Sequence, residues 1–256
     1  MKVAIITGAS GGLGLELFLE CSSYFPEIDE YWLISRNDEK LRSAENKSGN
    51  KCLIIPLDLT EKLSFATLSN KLEAAASDPS FEVSLLINNA GAGYLGNISD
   101  TDIDKLDTML HLNVRAMTDV TRITLPYMKS GSHIINTSSI ASFCPNTGLS
   151  VYSATKAYVS FFSRALGVEL KERGISVCAV CPGPMHTNFT TRGEINGNSK
   201  MFARLPYCDV KKTARGALKA AKRGKRVYTP SVFYKFFRIL AKLVPQRIMV
   251  RFTSAW

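Results

Sequence analysis

The sequence lacks long uninterrupted apolar runs, and no stretch reaches the roughly 18 apolar residues that a membrane-spanning helix needs. The apolar run near the N-terminus, VAIITGAS, is too short for a signal peptide, so we expect a cytoplasmic protein. A chain of 256 residues with 45% apolar composition is large enough for a substantial core. These features favour one large α/β domain over the alternative of two small ones.

Patterns typical of metal ligands are also missing. The three histidines, at positions 111, 133 and 186, have no partner spacing, so we predict no metal site. Cys178 and Cys181 form a C-x-x-C pair, but they lie in an apolar run that favours a strand, where residues three apart face opposite sides. We expect the six cysteines to be reduced and mostly buried thiols.

Acidic residues are absent from the end of the chain. All 22 Asp and Glu residues lie at or before Asp209, whereas residues 211–256 contain 13 Lys and Arg. The net charge of +10 therefore originates in the last segment. Basic segments can bind nucleic acid. This one has no helix-turn-helix, zinc-finger or RNA-binding motif, so we expect no nucleic-acid partner.

Short apolar runs rich in β-branched residues alternate with helical patterns along the chain. The runs that predict strands are 2–8, 30–35, 51–57, 83–88, 133–138, 175–181 and 226–229. The patterns that predict helices are 13–24, 38–46, 61–76, 102–129, 152–173 and 210–223. Strands that are apolar on both faces are typical of parallel sheets covered by helices. We predict a single-domain, Rossmann-type, doubly wound parallel sheet of about seven strands over residues 1–230.

Two segments outside this alternation have their own predicted roles. The long mixed loop 184–208 is typical of a lid, and 231–256 predicts a basic amphipathic extension with Lys235, Arg238 and Lys242 off its apolar stripe. Such a helix can lie on an anionic membrane, or it can pack over the substrate cleft or at a subunit contact. Both interpretations stay open. The stripe comprises Phe233, Phe236, Phe237, Leu240, Leu243 and Val244, on a helix that ends before Pro245.

A glycine-rich turn follows the first predicted strand and opens a helix. Gly8, Gly12 and Gly14 permit a tight turn and a close backbone approach to a pyrophosphate. The helix N-terminus that follows offers free N–H groups and the positive end of its dipole. The alternative is an ordinary strand–helix turn, but the tight cluster after the first strand favours nucleotide binding.

The end of the second strand indicates which nucleotide is bound. An acid there would bind the ribose 2′-hydroxyl of NAD, but this sequence has Ser35 followed by Arg36. An arginine suits a 2′-phosphate, so NADP(H) is the predicted cofactor rather than NAD(H). The alternative is a solvated arginine. Asp58, after the third strand, could accept from the adenine amino group or cap the next helix.

Tyr152 and Lys156 lie four residues apart in a stretch that predicts helix, and therefore on one helical face. An ammonium group near a phenol stabilises the phenolate and lowers the phenol pKa from its ordinary value of about 10. We therefore predict that Lys156 lowers the pKa of Tyr152. Both residue types are common, so the pair alone does not establish a function.

Seven short motifs follow one another, namely TGASGGLG at 7–14, LDL at 57–59, NNAG at 88–91, HLNV at 111–114, NTSS at 136–139, YSATK at 152–156 and PGPMHT at 182–187. In this order they resemble the short-chain dehydrogenase/reductase family over nearly the whole chain. The stretch YSATKAYVSFFSRAL also resembles the branch of 17β-hydroxysteroid dehydrogenases and very-long-chain 3-oxoacyl reductases.

The resemblance implies a catalytic tetrad of Asn113, Ser139, Tyr152 and Lys156. In this family the Tyr exchanges a proton with the substrate oxygen and the Ser holds that oxygen. The Lys also binds the nicotinamide ribose, and the Asn supports a water that feeds protons to the Lys. Taken singly, Ser139 would be a turn residue and Asn113 a polar residue on a helix face. The implied cofactor-binding residues are Gly8, Ser10, Gly12, Leu13, Gly14, Arg36, Asp58, Leu59, Asn89, Ala90, Gly91, Tyr152, Lys156, Pro182, Gly183, Met185 (usually Val or Ile) and Thr187.

These features predict an NADP(H)-dependent oxidoreductase that interconverts an apolar ketone and a secondary alcohol by hydride transfer. The family resemblance implies a homodimer or homotetramer. The alternative is a catalytically silent NADP-sensing scaffold, although such a scaffold need not retain the tetrad. Apolar residues that favour a steroid-like or 3-oxoacyl substrate are Phe143, Cys144, Pro145, Leu149, Phe189, Met201 and Phe202.

Overall fold

The computed structural model describes residues 1–189 and 205–253. Within these ranges seven strands form one sheet in the order β3-β2-β1-β4-β5-β6-β7, and every neighbouring pair is parallel. The predicted Rossmann-type doubly wound sheet is therefore confirmed. The strands are β1 (Lys2–Thr7), β2 (Glu30–Ser35), β3 (Cys52–Pro56), β4 (Glu82–Asn88), β5 (His133–Thr137), β6 (Ser176–Val180) and β7 (Val227–Tyr228).

Helices connect these strands and cover both faces of the sheet. The helices of the described chain are α1 (Gly12–Cys21), α2 (Asp38–Ser48), α3 (Lys62–Ala75), α4 (Ile103–Leu110), α5 (Met117–Thr124), α6 (Ser150–Glu169), α7 (Val210–Lys222), α8 (Val232–Leu243) and α9 (Gln246–Phe252). Ala4 and Ile6 of β1 join a core with α1, α2 and α7, whereas Val3 and Ile5 join a core with α3, α5 and α6. This alternation follows from the two-residue period of a strand.

The strand order reverses at β1, since β2 and β3 lie on one side and β4 on the other. Ligands bind in the crevice at the carboxyl ends of the strands beside such a reversal. The Thr7 hydroxyl accepts hydrogen bonds from the backbone N–H groups of Asn89 and Ala90, both at 3.0 Å. The carboxyl ends of β1 and β4 are thereby held together at the crevice.

The predicted single helix over 102–129 is only partly correct. A π-helical turn, His111–Ala116, separates α4 from α5, and a short 3-10 turn follows α5. The π turn contains Asn113, which is buried; its Oδ1 accepts from the Ala92 N–H at 2.9 Å and its Nδ2 donates to the Ala92 carbonyl at 2.7 Å. Such turns are frequent at functional sites, and here the turn directs an amide toward the loop after β4.

The last two helices, α8 and α9, pack beside the segments that follow β5 and β6. The Tyr234 hydroxyl donates to the Pro206 carbonyl at 2.6 Å, and the Thr253 hydroxyl donates to the Pro145 carbonyl at 2.7 Å. A Cβ at Gly183 would collide with the Tyr234 ring, so this close approach needs glycine. Among the described residues, no helix combines the length and apolarity required to cross a bilayer.

Candidate active site

The glycine turn between β1 and α1 has the backbone conformation that only glycine adopts easily. Gly8 has φ +68° and Gly12 has φ +55°, both in the left-handed region. A Cβ at Gly14 would collide with the Gly8 carbonyl. The Ser35 hydroxyl donates to the Ser10 hydroxyl at 2.7 Å, which links the turn to the end of β2. The turn therefore leaves backbone N–H groups open at the start of α1.

Arg36 and Asp58 form an ion pair across the ends of β2 and β3, with 3.7 Å between Nη1 and Oδ2. Burial acts to raise the pKa of Asp58, but hydrogen bonds from the backbone N–H and hydroxyl of Thr60 and the charge of Arg36 outweigh it, so the pKa lies below its ordinary value. Asp58 does not cap the next helix, because Glu61 is the N-cap of α3; its carboxylate instead accepts from the Thr60 N–H and hydroxyl, at 2.9 and 2.7 Å. Lys40, which the sequence analysis missed, lines the same cavity.

Tyr152 and Lys156 lie on α6, and both side chains are buried. The Lys156 Nζ donates to the Thr137 carbonyl at the end of β5, at 2.9 Å, and lies 5.8 Å from the centroid of the Tyr152 ring. The predicted i, i+4 arrangement is therefore present. It is anchored by the backbone of the neighbouring strand, which the sequence alone did not indicate.

The pKa values differ from the sequence prediction. Burial raises the pKa of Tyr152 to about 12, and the hydrogen bond with Ser139 lowers it by less. Burial also lowers the pKa of Lys156 to about 8. The ammonium group lies over the ring and donates to the Thr137 carbonyl, and it is not among the causes of the Tyr152 shift. In this structure Lys156 does not lower the pKa of Tyr152.

Ser139 follows β5 and lies beside the Tyr152 phenol. Its hydroxyl oxygen also accepts a hydrogen bond from the Ala141 N–H at 3.1 Å, which caps the 3-10 turn Ile140–Ser142. Ser139 therefore makes the contact expected of a turn residue, and its hydroxyl also lies beside the Tyr152 phenol.

Asn113 lies behind the cavity wall rather than on it. Its Nδ2 donates to the Thr155 hydroxyl at 3.0 Å, and Thr155 precedes Lys156 on α6. A Cβ at Gly91 would lie 2.7 Å from the Asn113 Oδ1, so the loop after β4 can pass this close only with glycine. Asn113 thus connects the π turn, the loop after β4 and the helix that carries the tyrosine and lysine.

A single cavity of about 800 Å³ joins the glycine turn to the predicted tetrad. Gly14 and Asn113 are the two predicted site residues that do not line it. The predicted residues that line it are Gly8, Ser10, Gly12, Leu13, Arg36, Asp58, Leu59, Asn89, Ala90, Gly91, Ser139, Tyr152, Lys156, Pro182, Gly183, Met185 and Thr187.

The end of the cavity near Tyr152 is apolar. Met109, Leu149 and Tyr152 form a small buried cluster, and Phe189 packs against it with its ring centroid 6.0 Å from that of Tyr152. Tyr94 lines this end as well, and sequence reasoning missed it because nothing in the local pattern distinguishes it. Other apolar lining comes from the C-terminal helices, through Phe233, Phe237 and Phe252.

Some residues predicted to contact the substrate have other positions. Phe143 and Cys144 pack with Ala241 and Met249 of α8 and α9 and do not line the cavity, and neither does Pro145. Phe143 and Cys144 are covered because the last two helices lie on them, whereas Pro145 is exposed. Two further predicted contacts, Met201 and Phe202, lie outside the described residues.

The histidines and cysteines are placed as single residues. Within 1–189 and 205–253, no three His, Cys, Asp or Glu side chains group as metal ligands would. All six cysteines are free thiols, and five of them are buried. Cys178 packs in the core beside α7, whereas the Cys181 sulfur lies 3.8 Å from the Ser160 hydroxyl of α6, on the other face of the sheet.

Comparison of the sequence with known proteins gives a consistent result. Residues 2–196 match the sequence model of the family described as short chain dehydrogenase. An uncharacterized oxidoreductase of Staphylococcus epidermidis is 29% identical over 204 residues, which cover 79% of this chain and 86% of that protein. An uncharacterized oxidoreductase of Staphylococcus aureus is 31% identical over 192 residues, which cover 74% of this chain and 80% of that one.

Solved structures with the same fold include a short-chain dehydrogenase from Sphingobium yanoikuyae in complex with NADPH. It is 25% identical, with a TM-score of 0.78, over 96% of this chain and 97% of that one. A bulky-bulky ketone specific alcohol dehydrogenase from Comamonas testosteroni is 24% identical, with a TM-score of 0.73, over 96% of each chain. The second likeness is one of fold alone.

Proposed function

Because the chain belongs to the short-chain dehydrogenase/reductase family, we propose that it is an NADP(H)-dependent oxidoreductase that interconverts an apolar ketone and a secondary alcohol. Membership rests on the family match over residues 2–196, and the related staphylococcal proteins are named as oxidoreductases. The observation that carries the proposal is the continuous cavity from the glycine turn to Tyr152 and Lys156.

The residues present fit a dinucleotide. The left-handed Gly8 and Gly12 line the cavity at the start of α1, where a pyrophosphate would lie, and Gly14 lets α1 approach the Gly8 carbonyl closely. Asn89, Ala90 and Gly91 line the cavity near the end of β4, where an adenine-linked ribose would lie. When bound, the nicotinamide would donate or accept the hydride, and the protein positions and polarises the substrate.

A preference for NADPH is proposed from the end of β2. The Arg36 side chain is 62% exposed, so it is free to turn toward a phosphate, and its partner Asp58 is held by Thr60 as well. Lys40 adds a second cation on the same cavity wall. The complex of the Sphingobium yanoikuyae relative with NADPH supports this choice.

We propose Tyr152 as the group that exchanges a proton with the substrate oxygen. The Tyr152 phenol lines the cavity beside Ser139, which puts a proton donor and a second hydroxyl on the same wall for a substrate oxygen. Ser139 would hold the same oxygen through its hydroxyl. Lys156 would hold the nicotinamide ribose, and Asn113 would position the lysine's helix through Thr155.

The substrate is proposed to be bulky and apolar, of the steroid-like or 3-oxoacyl kind. Support comes from the aromatic and aliphatic lining near Tyr152, to which Leu149 and Phe189 contribute. We propose residues 184–208 as a lid, since Pro184 and Leu205 line the cavity; residues 190–204 lie outside the described part of the chain. The closer likeness to 17β-hydroxysteroid dehydrogenases and very-long-chain 3-oxoacyl reductases remains part of this proposal.

We also propose a cytoplasmic homodimer or homotetramer, with residues 1–230 as the catalytic domain and 231–256 as an extension. An exposed apolar face on α6 supports association, because Phe161 is 71% and Val168 is 56% exposed. The mass of the protein in solution, measured by light scattering with Phe161→Glu as the variant, tests this interface.

The experiment that tests the function is a screen of steroid-like ketones, 3-oxoacyl thioesters and simple ketones, with NADPH consumption as the readout. Turnover that favours bulky apolar ketones supports the proposal. Binding of NADPH without turnover of any ketone or alcohol would contradict it and favour a cofactor-sensing scaffold.

A further inference from the structure

Helix α8 directs several large apolar side chains away from the body of the protein. Tyr234 and Ala241 are buried and Phe237 is half-buried, so the face that contains them contacts the body. Phe236 is 64% and Leu243 is 77% exposed, and they lie on the opposite side of the helix. Of the predicted apolar stripe, two residues pack against the body, Phe237 and Val244, and four are exposed, Phe233, Phe236, Leu240 and Leu243. A surface helix usually presents polar residues to water.

Helix α9 also has a buried side and an exposed apolar side. We name the exposed apolar residues of α8 and α9 the C-terminal apolar face. In α9, Met249 is buried whereas Phe252 is 80% exposed. Its neighbours Arg247 and Arg251 are exposed cations one turn apart. The C-terminal apolar face consists of Val232, Phe233, Phe236, Ile239, Leu240, Leu243, Ile248 and Phe252.

The charge beside this face has one sign. Lys235 and Lys242 are exposed on one flank of α8, seven residues apart and thus on the same side of the helix. Residues 211–256 contain no Asp or Glu. An outward apolar face bordered by cations matches the apolar interior and anionic headgroups of a phospholipid surface.

The face is continuous with the cavity. Phe233 and Phe252 line the cavity, and both also belong to the C-terminal apolar face, where they are 50% and 80% exposed. A surface that covered this face would therefore meet the cavity entrance. A substrate dissolved in that surface could enter without crossing water.

A second copy of the chain fits this face less well. A two-fold interface would place the same patch of each subunit against itself. Lys235, Lys242, Arg247 and Arg251 of both copies would then approach one another without any acid from residues 211–256. An anionic bilayer instead supplies the opposite charge.

We propose that α8 and α9 dock on the surface of an anionic phospholipid bilayer, with the cavity entrance at that surface. The docking surface is independent of catalysis. Only the route by which substrate enters rests on the proposed function. The occupant is a lipid bilayer that contains acidic headgroups.

The test is co-sedimentation of the full chain with vesicles of phosphatidylcholine alone or mixed with phosphatidylglycerol, at low and high salt. We expect binding to the mixed vesicles that weakens with salt. The double variant Phe236→Ser/Leu243→Ser should bind at least about 30-fold more weakly, since two large apolar side chains are lost. Lys235→Gln and Lys242→Gln should each weaken binding roughly five-fold.

A matched control replaces two exposed apolar residues elsewhere, Leu63→Ser/Ile103→Ser, which are 82% and 72% exposed in the native protein and should leave vesicle binding unchanged. Tyr152→Phe should also bind vesicles like the native protein, so a failure of the catalytic proposal stays distinguishable. The proposal is overturned if the protein binds no vesicles under any condition, or binds neutral and anionic vesicles equally. It is also overturned if Phe236→Ser/Leu243→Ser binds vesicles as well as the native protein does. A smaller assembly for this variant than for the native protein, measured by light scattering, would overturn it too and would assign the face to a second copy.

Discussion

Replacing Lys156 by methionine should stabilise the cofactor-free protein while abolishing its activity. Lys156 is buried, and its pKa is lowered from 10.5 to about 8, chiefly by desolvation. This shift corresponds to a cost of about 3 kcal/mol for keeping the ammonium charged in the folded state. The substitution also removes the hydrogen bond from Nζ to the Thr137 carbonyl, at 2.9 Å, and that loss costs roughly 1.5 kcal/mol.

Methionine has a similar length and no charge, so Lys156→Met should raise the free energy of unfolding at pH 7 by about 1–2 kcal/mol. For a chain of this size the Tm should rise by about 2–6 °C. Reductase activity should fall to background, because the side chain proposed to hold the nicotinamide ribose is lost.

The pH dependence identifies the cause. Below pH 8 the lysine is protonated in the folded and unfolded states alike, so the full penalty is present. Between pH 8 and 10.5 the folded protein holds a neutral lysine while the unfolded chain still binds the proton, so the native protein gains stability as the pH rises. The advantage of Lys156→Met should therefore shrink over that window.

Urea denaturation of both proteins without cofactor, at pH 7 and at about pH 9.5, measures the difference. A variant that is less stable than the native protein at pH 7 would refute the reasoning. A difference in unfolding free energy that stays constant between the two pH values would refute it as well, because buried charge would then not be its source.

Three further substitutions test the cofactor site and its support. Arg36→Ala should weaken NADPH binding by about 10- to 100-fold and leave NADH nearly unchanged in titrations; equal affinity of the native protein for both contradicts this. Gly14→Ala should weaken the binding of both NADPH and NADH, because the added Cβ collides with the Gly8 carbonyl. Unaltered affinity for both cofactors would contradict this. Asn113→Ala should lower the unfolding free energy by about 1–3 kcal/mol, because the N–H and the carbonyl of Ala92 both lose their hydrogen bonds to the Asn113 amide. An unchanged urea denaturation curve would argue that Asn113 does not support this loop.

The sheet and the glycine turn were predictable because their signals are local. Each strand is a short apolar run whose residues alternate between two cores, as Val3 and Ala4 do. Gly8 and Gly12 are needed for a backbone conformation that follows from chain geometry, and so they mark the turn in the sequence itself.

The orientation of α8 was not predictable because it depends on distant partners. The spacing of apolar residues indicates which side chains share a face, but not which face meets the body. Tyr234 is buried because its ring packs on Gly183 and its hydroxyl donates to the Pro206 carbonyl. Both partners lie some 30 to 50 residues away in the chain. With that contact made, Phe236 and Leu243 are directed outward.

The acidity of Tyr152 was mispredicted for a related reason. The sequence indicated a nearby lysine, but desolvation depends on segments that are remote in the chain. A Cβ at Gly93 would lie 2.9 Å from the Tyr152 ring, and Phe189 packs on the same ring. The π turn that contains Asn113 was likewise missed, since its sequence pattern resembles that of an ordinary α-helix.

If Tyr152 transfers the proton, as proposed, removing its hydroxyl should stop turnover and leave NADPH binding intact. The most direct measurement is single-substrate turnover of Tyr152→Phe, with its NADPH affinity measured in parallel. The variant keeps the ring and loses only the hydroxyl, so turnover should fall by at least about 10²-fold while NADPH affinity stays within a few-fold of the native value. Turnover close to that of the native protein would contradict the account.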